Sequence, residues 1–347
     1  MSALDDLTDD ALTGGFRVFQ RRRGHRYSLD DCVTAWEAGM LFPGAATEPT
    51  TGATPACSSE PGEAWARDAR QERSDQGGPA CPPGRAAAPA SIVDLGCGIG
   101  SVLLMLAYKF PRARLIGIEA QEESHALALR NVARNGVARR VTLLQADLRS
   151  EALAAQLGGA RHDLVTGTPP YQPVGRGTIS PDSQRAHARV ELRGGVEDYV
   201  RAAARLLAPD GHVVVCGDAR APERLYQSAA SAGLRVVSER KVWPAARYKA
   251  PLFCVWTLAW PRGTTAELAG PPPRSGVGDG RDRVRHRSFV ARDHAGARTP
   301  EAHALRAFFD LSISAQEPNS PRQRQRAQGV VGQHVPAILL DRRGRPE

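Results

Sequence analysis

The stretch SIVDLGCGIG, residues 91–100, decides the fold. Its first four residues are a short apolar run that ends in an acid, which is typical of a buried strand. Three glycines then mark a tight turn, and the apolar residues 101–110 predict a helix that ends before Pro111. A strand, a glycine-rich turn and a helix in this order predict the start of an α/β domain with a parallel sheet.

The alternation of strands and helices continues beyond this unit, and it predicts a Rossmann-like α/β fold with helices on both faces of the sheet. We expect a mostly parallel sheet of seven strands. The last two, 235–242 and 252–260, are read as a closing antiparallel pair. The segment 288–292 could add one more strand. A helix is predicted from Thr299, a capping residue followed by a proline, to about Asp310.

Composition divides the chain into folded and unfolded segments. Pro, Gly, Ala, Thr and Ser dominate one stretch that has little periodicity, and Pro, Gly and Arg dominate a second. Such stretches cannot bury enough apolar surface to fold. The expected organisation is an N-terminal segment at 1–43, a disordered insertion at 44–90, the main domain at 91–260, a second disordered insertion at 261–287, a strand-helix element at 288–311 and a disordered basic tail at 312–347.

Charge favours an anionic partner. The chain of 347 residues has 46 Lys and Arg against 37 Asp and Glu, and its net charge is +9. Such an excess suits nucleic acid. A genomic bias towards Arg and Ala codons would give the same excess, so composition alone leaves both explanations open. Two arginine groups are candidates for phosphate contact: Arg21, Arg22, Arg23, His25 and Arg26 before the first helix, and Arg176, Arg185, Arg189 and Arg193 further along.

Several classes of protein are disfavoured by the sequence. No apolar run approaches the length of about 20 residues that spans a bilayer. The acidic N-terminus lacks the features of a signal or transit peptide, and the six scattered cysteines show no metal-binding or disulfide spacing. We therefore expect no metal, no membrane and a reducing compartment, with the cytoplasm as the default and the nucleus as the alternative.

The glycine loop has the features of a nucleoside site. Gly96, Gly98 and Gly100 would let a ligand approach the backbone at the N-terminus of a helix. Acidic residues follow three successive strands. Asp94 could receive an ammonium group or a bridging water, Glu119 could bind both ribose hydroxyls, and Asp147 could accept from an adenine amino group. The alternative is that the three acids cap helix starts.

A second motif, Thr168-Pro169-Pro170-Tyr171, follows the fourth strand of this sheet. Ligands of open α/β sheets bind at the carboxyl ends of the strands, so the loop should face the glycine turn. Two prolines stiffen it and free carbonyls that could accept from an amino group. Tyr171 could stack on a planar base or amide. A simple Pro-Pro turn after a strand is the alternative interpretation.

Together, Asp94 to Gly100, Glu119, Asp147 and the Pro-Pro-Tyr loop resemble the amino-methylating class I S-adenosylmethionine-dependent methyltransferases. These include bacterial adenine-N6 methyltransferases acting on valine tRNA and the glutamine methyltransferases of release factors. Residues 7–12, 24–30 and 289–309 are similar to the ends of the valine-tRNA enzymes. The resemblance implies a class I methyltransferase fold, S-adenosylmethionine as the methyl donor, and transfer to an exocyclic adenine nitrogen near a tRNA anticodon.

The resemblance also implies a set of site residues. Thr168 replaces the Asn that usually begins the Pro-Pro-Tyr motif, and its hydroxyl could still accept a hydrogen bond. The expected catalytic residues are Thr168, Pro169, Pro170 and Tyr171, and the expected cofactor-binding residues are Asp30, Asp94, Gly96, Gly98, Gly100, Glu119, Ala120, Asp147 and Leu148. The alternatives are a protein N5-glutamine methyltransferase, an RNA-binding protein without turnover, and a small-molecule methyltransferase.

Overall fold

The structure is a computed structural model, and it describes residues 6–43, 88–261 and 284–311. Most of the segments that the sequence assigns to disordered insertions and to the basic tail lie outside the described residues. The exceptions are a few residues at their ends, among them 285–287, which form part of a strand. The predicted disorder of the remainder therefore stays a prediction.

Ten strands are present in the described residues. A two-stranded hairpin comes first, formed by β1 (Leu7–Thr13) and β2 (Phe16–Arg21). The main sheet contains β3 (Ser91–Leu95), β4 (Arg114–Glu119), β5 (Val141–Gln145), β6 (His162–Gly167), β7 (Leu207–Asp218), β8 (Arg235–Trp243), β9 (Phe253–Ala259) and β10 (Arg285–Val290).

The order of strands across the main sheet is β10-β8-β9-β7-β6-β3-β4-β5. Strands β7, β6, β3, β4 and β5 are parallel to one another, and β10 is parallel to β8. Strand β9 runs antiparallel to both β7 and β8. The predicted mostly parallel α/β fold with a closing antiparallel pair is therefore confirmed.

The helices of the described residues cover both faces of the sheet. They are α1 (Leu29–Met40), α2 (Ser101–Lys109), α3 (Glu122–Arg134), α4 (Leu153–Gln156), α5 (Ser183–Arg189), α6 (Val196–Leu206), α7 (Pro222–Ser231) and α8 (Pro300–Phe308). Successive residues of a strand point to opposite faces. Ile92 and Leu164 accordingly belong to the core beneath α1 and α2, whereas Val93 and Val165 belong to the core beneath α6.

The expectation of seven strands was wrong, because the sheet has eight. The eighth strand, β10, lies at the edge of the sheet, and its first four residues are exposed. It therefore lacks the apolar run of a buried strand. Phe289 is its one fully buried side chain and packs edge-on against Trp36 of α1, with ring centroids 5.7 Å apart.

The β1-β2 hairpin packs against α3 through two asparagines. The side chain of Asn131 accepts from the Phe19 N–H at 2.7 Å and donates to the Phe19 carbonyl at 3.0 Å. Asn135 makes the same pair of bonds with Arg17, at 2.8 and 2.7 Å. Because these side chains satisfy backbone groups that no third strand pairs, the hairpin is held beside the glycine loop.

Four of the six cysteines lie in the part of the chain that the structure describes. Cys32, Cys97, Cys216 and Cys254 are free thiols. No group of His, Cys, Asp or Glu with the makings of a metal site occurs in the described part of the chain. None of the helices described there is both long and apolar enough to cross a membrane.

Candidate active site

The glycine turn connects β3 to α2 and forms one wall of a cavity. Gly96 and Gly98 have φ angles of +59° and +56°, a region that L side chains rarely adopt. A Cβ at Gly96 would lie 2.1 Å from the Tyr199 hydroxyl, whereas a Cβ at Gly98 would meet nothing within 4 Å. Gly96 is therefore required for packing, and the bare backbone of Gly98 faces open space that a ligand could fill.

We call this space the inner cavity. It measures about 910 Å³, including open solvent, and lies at the carboxyl ends of β3, β4 and β6. Eight of the predicted site residues line it: Gly96, Gly98, Glu119, Ala120, Asp147, Leu148, Thr168 and Pro170. Asp94 and Gly100 do not line it, and Asp30, Pro169 and Tyr171 line a second, neighbouring space.

Glu119 connects the end of β4 to the glycine turn. Its Oε2 accepts from the Gly98 N–H at 2.8 Å, and its Oε1 accepts from the Gln121 N–H at 2.7 Å. Burial raises the pKa of this carboxyl, and the main-chain donors oppose that effect. Each carboxylate oxygen keeps a second lone pair, so the group can still accept from a ligand.

Asp94 lies behind the turn. It is 2 % exposed, and its Oδ1 accepts from the Thr166 hydroxyl of β6 at 2.8 Å. Burial raises the pKa of Asp94 to about 7. Asp94 therefore does not line the inner cavity, and its contact with an ammonium group or a bridging water stays a prediction.

Asp147 follows β5 and is already paired. Its two oxygens accept from Nε and Nη2 of Arg149 at 3.0 and 2.7 Å. These bonds lower the pKa of Asp147, so it is a carboxylate at neutral pH. It lines the inner cavity in this paired state.

The Thr-Pro-Pro-Tyr loop separates the inner cavity from the second space, which we call the outer cavity. The outer cavity measures about 2940 Å³, including open solvent. Residues 24–31 and 168–173 line it, together with parts of α5 and of the loop after β7. Thr168 and Pro170 line both cavities. The loop is therefore the partition between the two spaces.

Tyr171 is held firmly in the wall of the outer cavity. Its ring stacks on Phe253, with centroids 6.3 Å apart and an interplanar angle of 24°. Its hydroxyl lies 3.2 Å from Oδ2 of Asp30 and 3.0 Å from Sγ of Cys216. Burial raises the pKa of Tyr171 well above its usual value. Because Phe253 covers one face of the ring, only the other face could stack on a ligand.

Asp31 is a residue of this site that the sequence reasoning missed. Its carboxyl accepts from the Ser28 N–H at 2.8 Å as part of a capping box at the start of α1, and it lines both cavities. Burial raises its pKa well above the ordinary value, and the neighbouring Asp30 adds to this shift. The signal was present, because a Ser followed three residues later by an acid predicts such a cap.

Helix α5 contributes further residues that were missed. Gln184 is 1 % exposed and lines the inner cavity, where its Nε2 donates to Oγ of Ser124 at 3.3 Å. His187 lines the same cavity. The helix has only seven residues, and its sequence SQRAHAR has no apolar periodicity. No signal in the sequence pointed to these side chains.

Individual members of the two arginine groups differ in how their charge is compensated. Arg21 forms ion pairs with Asp6, Glu123 and Asp182 at 2.9–3.4 Å, so it is not free for phosphate. Arg176 and Arg189 line the outer cavity, are exposed, and have no ion-pair partner among the residues that the structure describes. Arg185 donates to the main-chain carbonyls of Arg23 and Gly24. Because these carbonyls are neutral, the charge of its guanidinium group stays uncompensated.

The sequence is similar to those of known methyltransferases. Residues 92–168 match a methyltransferase domain family. The chain is 32% identical over 154 residues to a tRNA1(Val) (adenine(37)-N6)-methyltransferase of Porphyromonas gingivalis, with 44% of this chain and 58% of the relative covered. It is 34% identical over 138 residues to a release factor glutamine methyltransferase of Geobacter sulfurreducens, with 38% of this chain and 46% of the relative covered.

The chain thus spans about half the length of the curated relatives it matches. Among solved structures, a predicted O-methyltransferase from Agrobacterium tumefaciens superposes with a TM-score of 0.45 at 19% identity, covering 63% of this chain and 89% of that one. The matched domain indicates S-adenosylmethionine as the methyl donor. The chain carries a Rossmann-like class I S-adenosylmethionine-dependent methyltransferase domain and resembles the valine-tRNA adenine-N6 methyltransferases.

Proposed function

We propose that this protein transfers a methyl group from S-adenosylmethionine to an exocyclic amino nitrogen, and that the acceptor is adenine N6 in tRNA. One observation carries the proposal. The Thr-Pro-Pro-Tyr loop lines the inner cavity on one side and the outer cavity on the other. An acceptor nitrogen that enters from the outer cavity would meet a methyl donor held in the inner cavity at Thr168.

The inner cavity suits this donor. S-adenosylmethionine carries a sulfonium and an ammonium group as well as ribose hydroxyls, and the wall offers carboxyls at Asp31, Glu119 and Asp147. Glu119 would accept from the ribose hydroxyls, and Asp147 from the adenine amino group. The ligand would lie against the backbone of Gly98 and would fill the space that a Cβ at this position would occupy. Bound there, the sulfonium would supply an activated methyl group.

The loop would position the acceptor. Pro169 and Pro170 have no N–H groups, so this stretch of backbone offers only carbonyls. Those carbonyls and the Thr168 hydroxyl would accept the two amino protons and direct the nitrogen lone pair towards the methyl group. Because the leaving group is a neutral thioether, positioning provides most of the catalysis.

A polyanionic acceptor is favoured by the arginines of the outer cavity. The charges of Arg176, Arg185 and Arg189 lie beside the loop without carboxylate partners among the described residues. Phosphates on either side of an extruded adenosine would compensate them. The similarity to a tRNA1(Val) (adenine(37)-N6)-methyltransferase supports the same acceptor. The cytoplasmic location expected from the sequence stays a prediction.

The second candidate is a protein glutamine side chain. It is favoured by the similarity to a release factor glutamine methyltransferase, and a glutamine amide presents the same planar NH2 group to the loop. The third candidate, an RNA-binding protein without turnover, rests on Thr168 in the place where the resembling families have Asn.

Methyl transfer with labelled S-adenosylmethionine, measured in parallel on total RNA and total protein, tests the proposal. We expect the label in RNA and, after nucleoside analysis, in N6-methyladenosine. Glu119→Ala is the control that should weaken donor binding and so reduce labelling at donor concentrations below the dissociation constant of the variant. Label in glutamine and none in RNA would move the assignment to the protein acceptor. RNA binding without labelling of either would support the protein without turnover.

A further inference from the structure

The inner and outer cavities meet at a junction lined by six residues that belong to both walls: His25, Tyr27, Asp31, Thr168, Pro170 and Ala188. An acceptor that enters from one side and a donor held on the other can meet only there. The junction holds one imidazole, that of His25. The sequence had suggested phosphate contact for this residue, as one member of a basic cluster.

We propose that His25 is a catalytic residue, whose imidazole takes the proton that the acceptor nitrogen releases when it receives the methyl group. The inference rests on the proposed amino-methyltransferase function. His25 takes no part in orienting the acceptor. The carbonyls of the proline loop can orient the amino group, but they cannot retain the proton that it releases.

The backbone around His25 is fixed by buried contacts. The His25 N–H donates to Oε1 of Gln184 at 3.1 Å, and Gln184 is in turn bonded to Ser124 of α3. A Cβ at residue 24 would lie 2.2 Å from that same Oε1, so Gly24 is needed for the contact to form. The pair Gly24-His25 therefore places the imidazole at the junction through a buried side chain of another element.

The imidazole itself is available. It has no hydrogen-bond partner among the residues that the structure describes. Burial lowers its pKa from 6.5. Three charged groups act on the ring: Asp30 of α1 raises the pKa, and Arg185 and Arg189 of α5 lower it. The ring is therefore unprotonated at neutral pH and has a free nitrogen lone pair.

The proton balance of the transfer requires such a group. The nitrogen lone pair forms the new N–C bond, the C–S bond breaks, and its electrons stay on sulfur. The nitrogen is left cationic until it loses one proton. An unprotonated imidazole takes that proton and becomes an imidazolium, which Asp30 stabilises, and the product is a neutral methylamino group. His25 would later release the proton to solvent.

Asp31 is the other titratable group at the junction that could compete for this role. Burial raises its pKa well above the ordinary value, so it tends to hold its own proton. Its carboxyl also accepts from the Ser28 N–H in the helix cap. Tyr27 has a pKa raised to about 12 and cannot act as a proton acceptor near neutrality.

Single-turnover methyl transfer measured against pH tests the role of His25. The wild-type rate should be constant above neutrality and fall in acid, below an apparent pKa under 6.5. His25→Gln should lower the rate by about 10²-fold, the lower end of general acid–base effects, and should abolish the acid limb. His25→Ala should regain activity with added imidazole, in proportion to its free-base concentration.

Two further measurements separate the role from a structural one. Donor affinity by calorimetry and the melting temperature should not change in His25→Gln. His303→Ala, at an exposed position of α8, is the matched control and should behave as the wild type. If His25→Gln keeps the full rate and the rate still falls in acid, His25 is not the proton acceptor. Loss of donor binding in that variant would also overturn this role. Neither result would affect the proposed function. A wild-type protein that methylates neither RNA nor protein would overturn both proposals.

Discussion

The N–H of Gly98 donates a 2.8 Å hydrogen bond to Oε2 of Glu119, and this bond joins the glycine turn after β3 to the end of β4. The two residues are neighbours because β3 and β4 are adjacent parallel strands whose carboxyl ends meet at one edge of the sheet. The Glu119 carboxylate thus fixes the backbone of the glycine turn, and it also lines the inner cavity.

Replacing Glu119 should therefore affect ligand binding more than folding. We expect Glu119→Ala to weaken S-adenosylmethionine binding by about 1.5–3 kcal/mol, the range for hydrogen bonds to a charged group. Isothermal calorimetry measures the change. Glu122→Ala, at an exposed position in the first turn of α3, is the control and should leave the affinity unchanged. Equal affinity in both variants would remove Glu119 from the binding site.

Gly96 and Gly98 should respond differently to substitution, although both have positive φ angles. We expect Gly96→Ala to lower the free energy of unfolding by about 1–3 kcal/mol more than Gly98→Ala, because its Cβ overpacks a buried site against Tyr199. Tyr199→Phe should restore part of that stability by removing the hydroxyl that lies 2.1 Å from the new Cβ. Urea denaturation of the single and double variants gives the coupling energy. Equal losses in the two alanine variants would show that backbone strain, not the clash, dominates.

Stability should depend on pH through Asp94. Its pKa is raised from 3.8 to about 7 in the folded state, so the folded protein retains a proton that the unfolded chain loses. The stability from this group is complete below pH 3.8 and is lost as the pH rises through about 7, with a slope of up to about 1.4 kcal/mol per pH unit. Denaturation of wild type and Asp94→Asn across this range measures the difference.

Thr166→Val provides the matched test of the same group. The Thr166 hydroxyl donates to Asp94 and lowers its pKa, so removing it should raise that pKa further and move the loss of stability to higher pH. A stability difference between wild type and Asp94→Asn that stays constant with pH would contradict the assignment.

Much of the fold could be predicted because its central strands are buried on both faces. Strands β3 and β6 have buried apolar pairs at their centres, Ile92-Val93 and Leu164-Val165. Acids near the ends of strands, such as Glu119 of β4, fall together once the sheet is parallel. Edge elements have no such pattern. In β10 the first four side chains are exposed, and in β1 Leu12 and Thr13 are the only fully buried residues. Their place depends on contacts with residues far away in the chain.

Some site residues could not be predicted either, because their position depends on three-dimensional contacts and not on their neighbours in the sequence. Asp30 and Asp31 are adjacent in the sequence, but neighbouring positions of a helix point about 100° apart. Asp31 therefore lines the inner cavity and Asp30 does not. Likewise, the partners of Arg21 lie at residues 6, 123 and 182, so its neutralisation could not be read from the run of arginines at 21–23.

RNA affinity should depend on the arginines that lack carboxylate partners. We expect Arg176→Gln and Arg189→Gln each to reduce the slope of log affinity against log salt by up to about 0.7, the value for one phosphate contact on a single strand. Arg201→Gln is the control, because this exposed arginine lies on α6 and pairs with Asp198 at 2.8 Å. Filter binding over a salt series measures the slopes. Unchanged slopes in both variants would exclude this wall from the interface.

Thr168 is the residue at which the chain departs from the Asn of the families it resembles, and it lines both cavities. Thr168→Val removes the hydroxyl at nearly constant volume, so its effect reports the hydrogen bond. If the hydroxyl aligns the acceptor nitrogen only in the transition state, the transfer rate should fall while donor affinity is unchanged. The expected loss is about 10-fold, the equivalent of a neutral hydrogen bond near the upper end of the usual range.

The single-turnover rate and the donor affinity, measured on the same preparation, separate these outcomes. Thr168→Asn supplies an amide carbonyl in place of the hydroxyl and should retain more activity than Thr168→Val, since it can still accept from the amino group. Full activity in Thr168→Val would show that the carbonyls of the proline loop suffice. In that case the substitution of Thr for Asn at this position would not weaken the case for turnover.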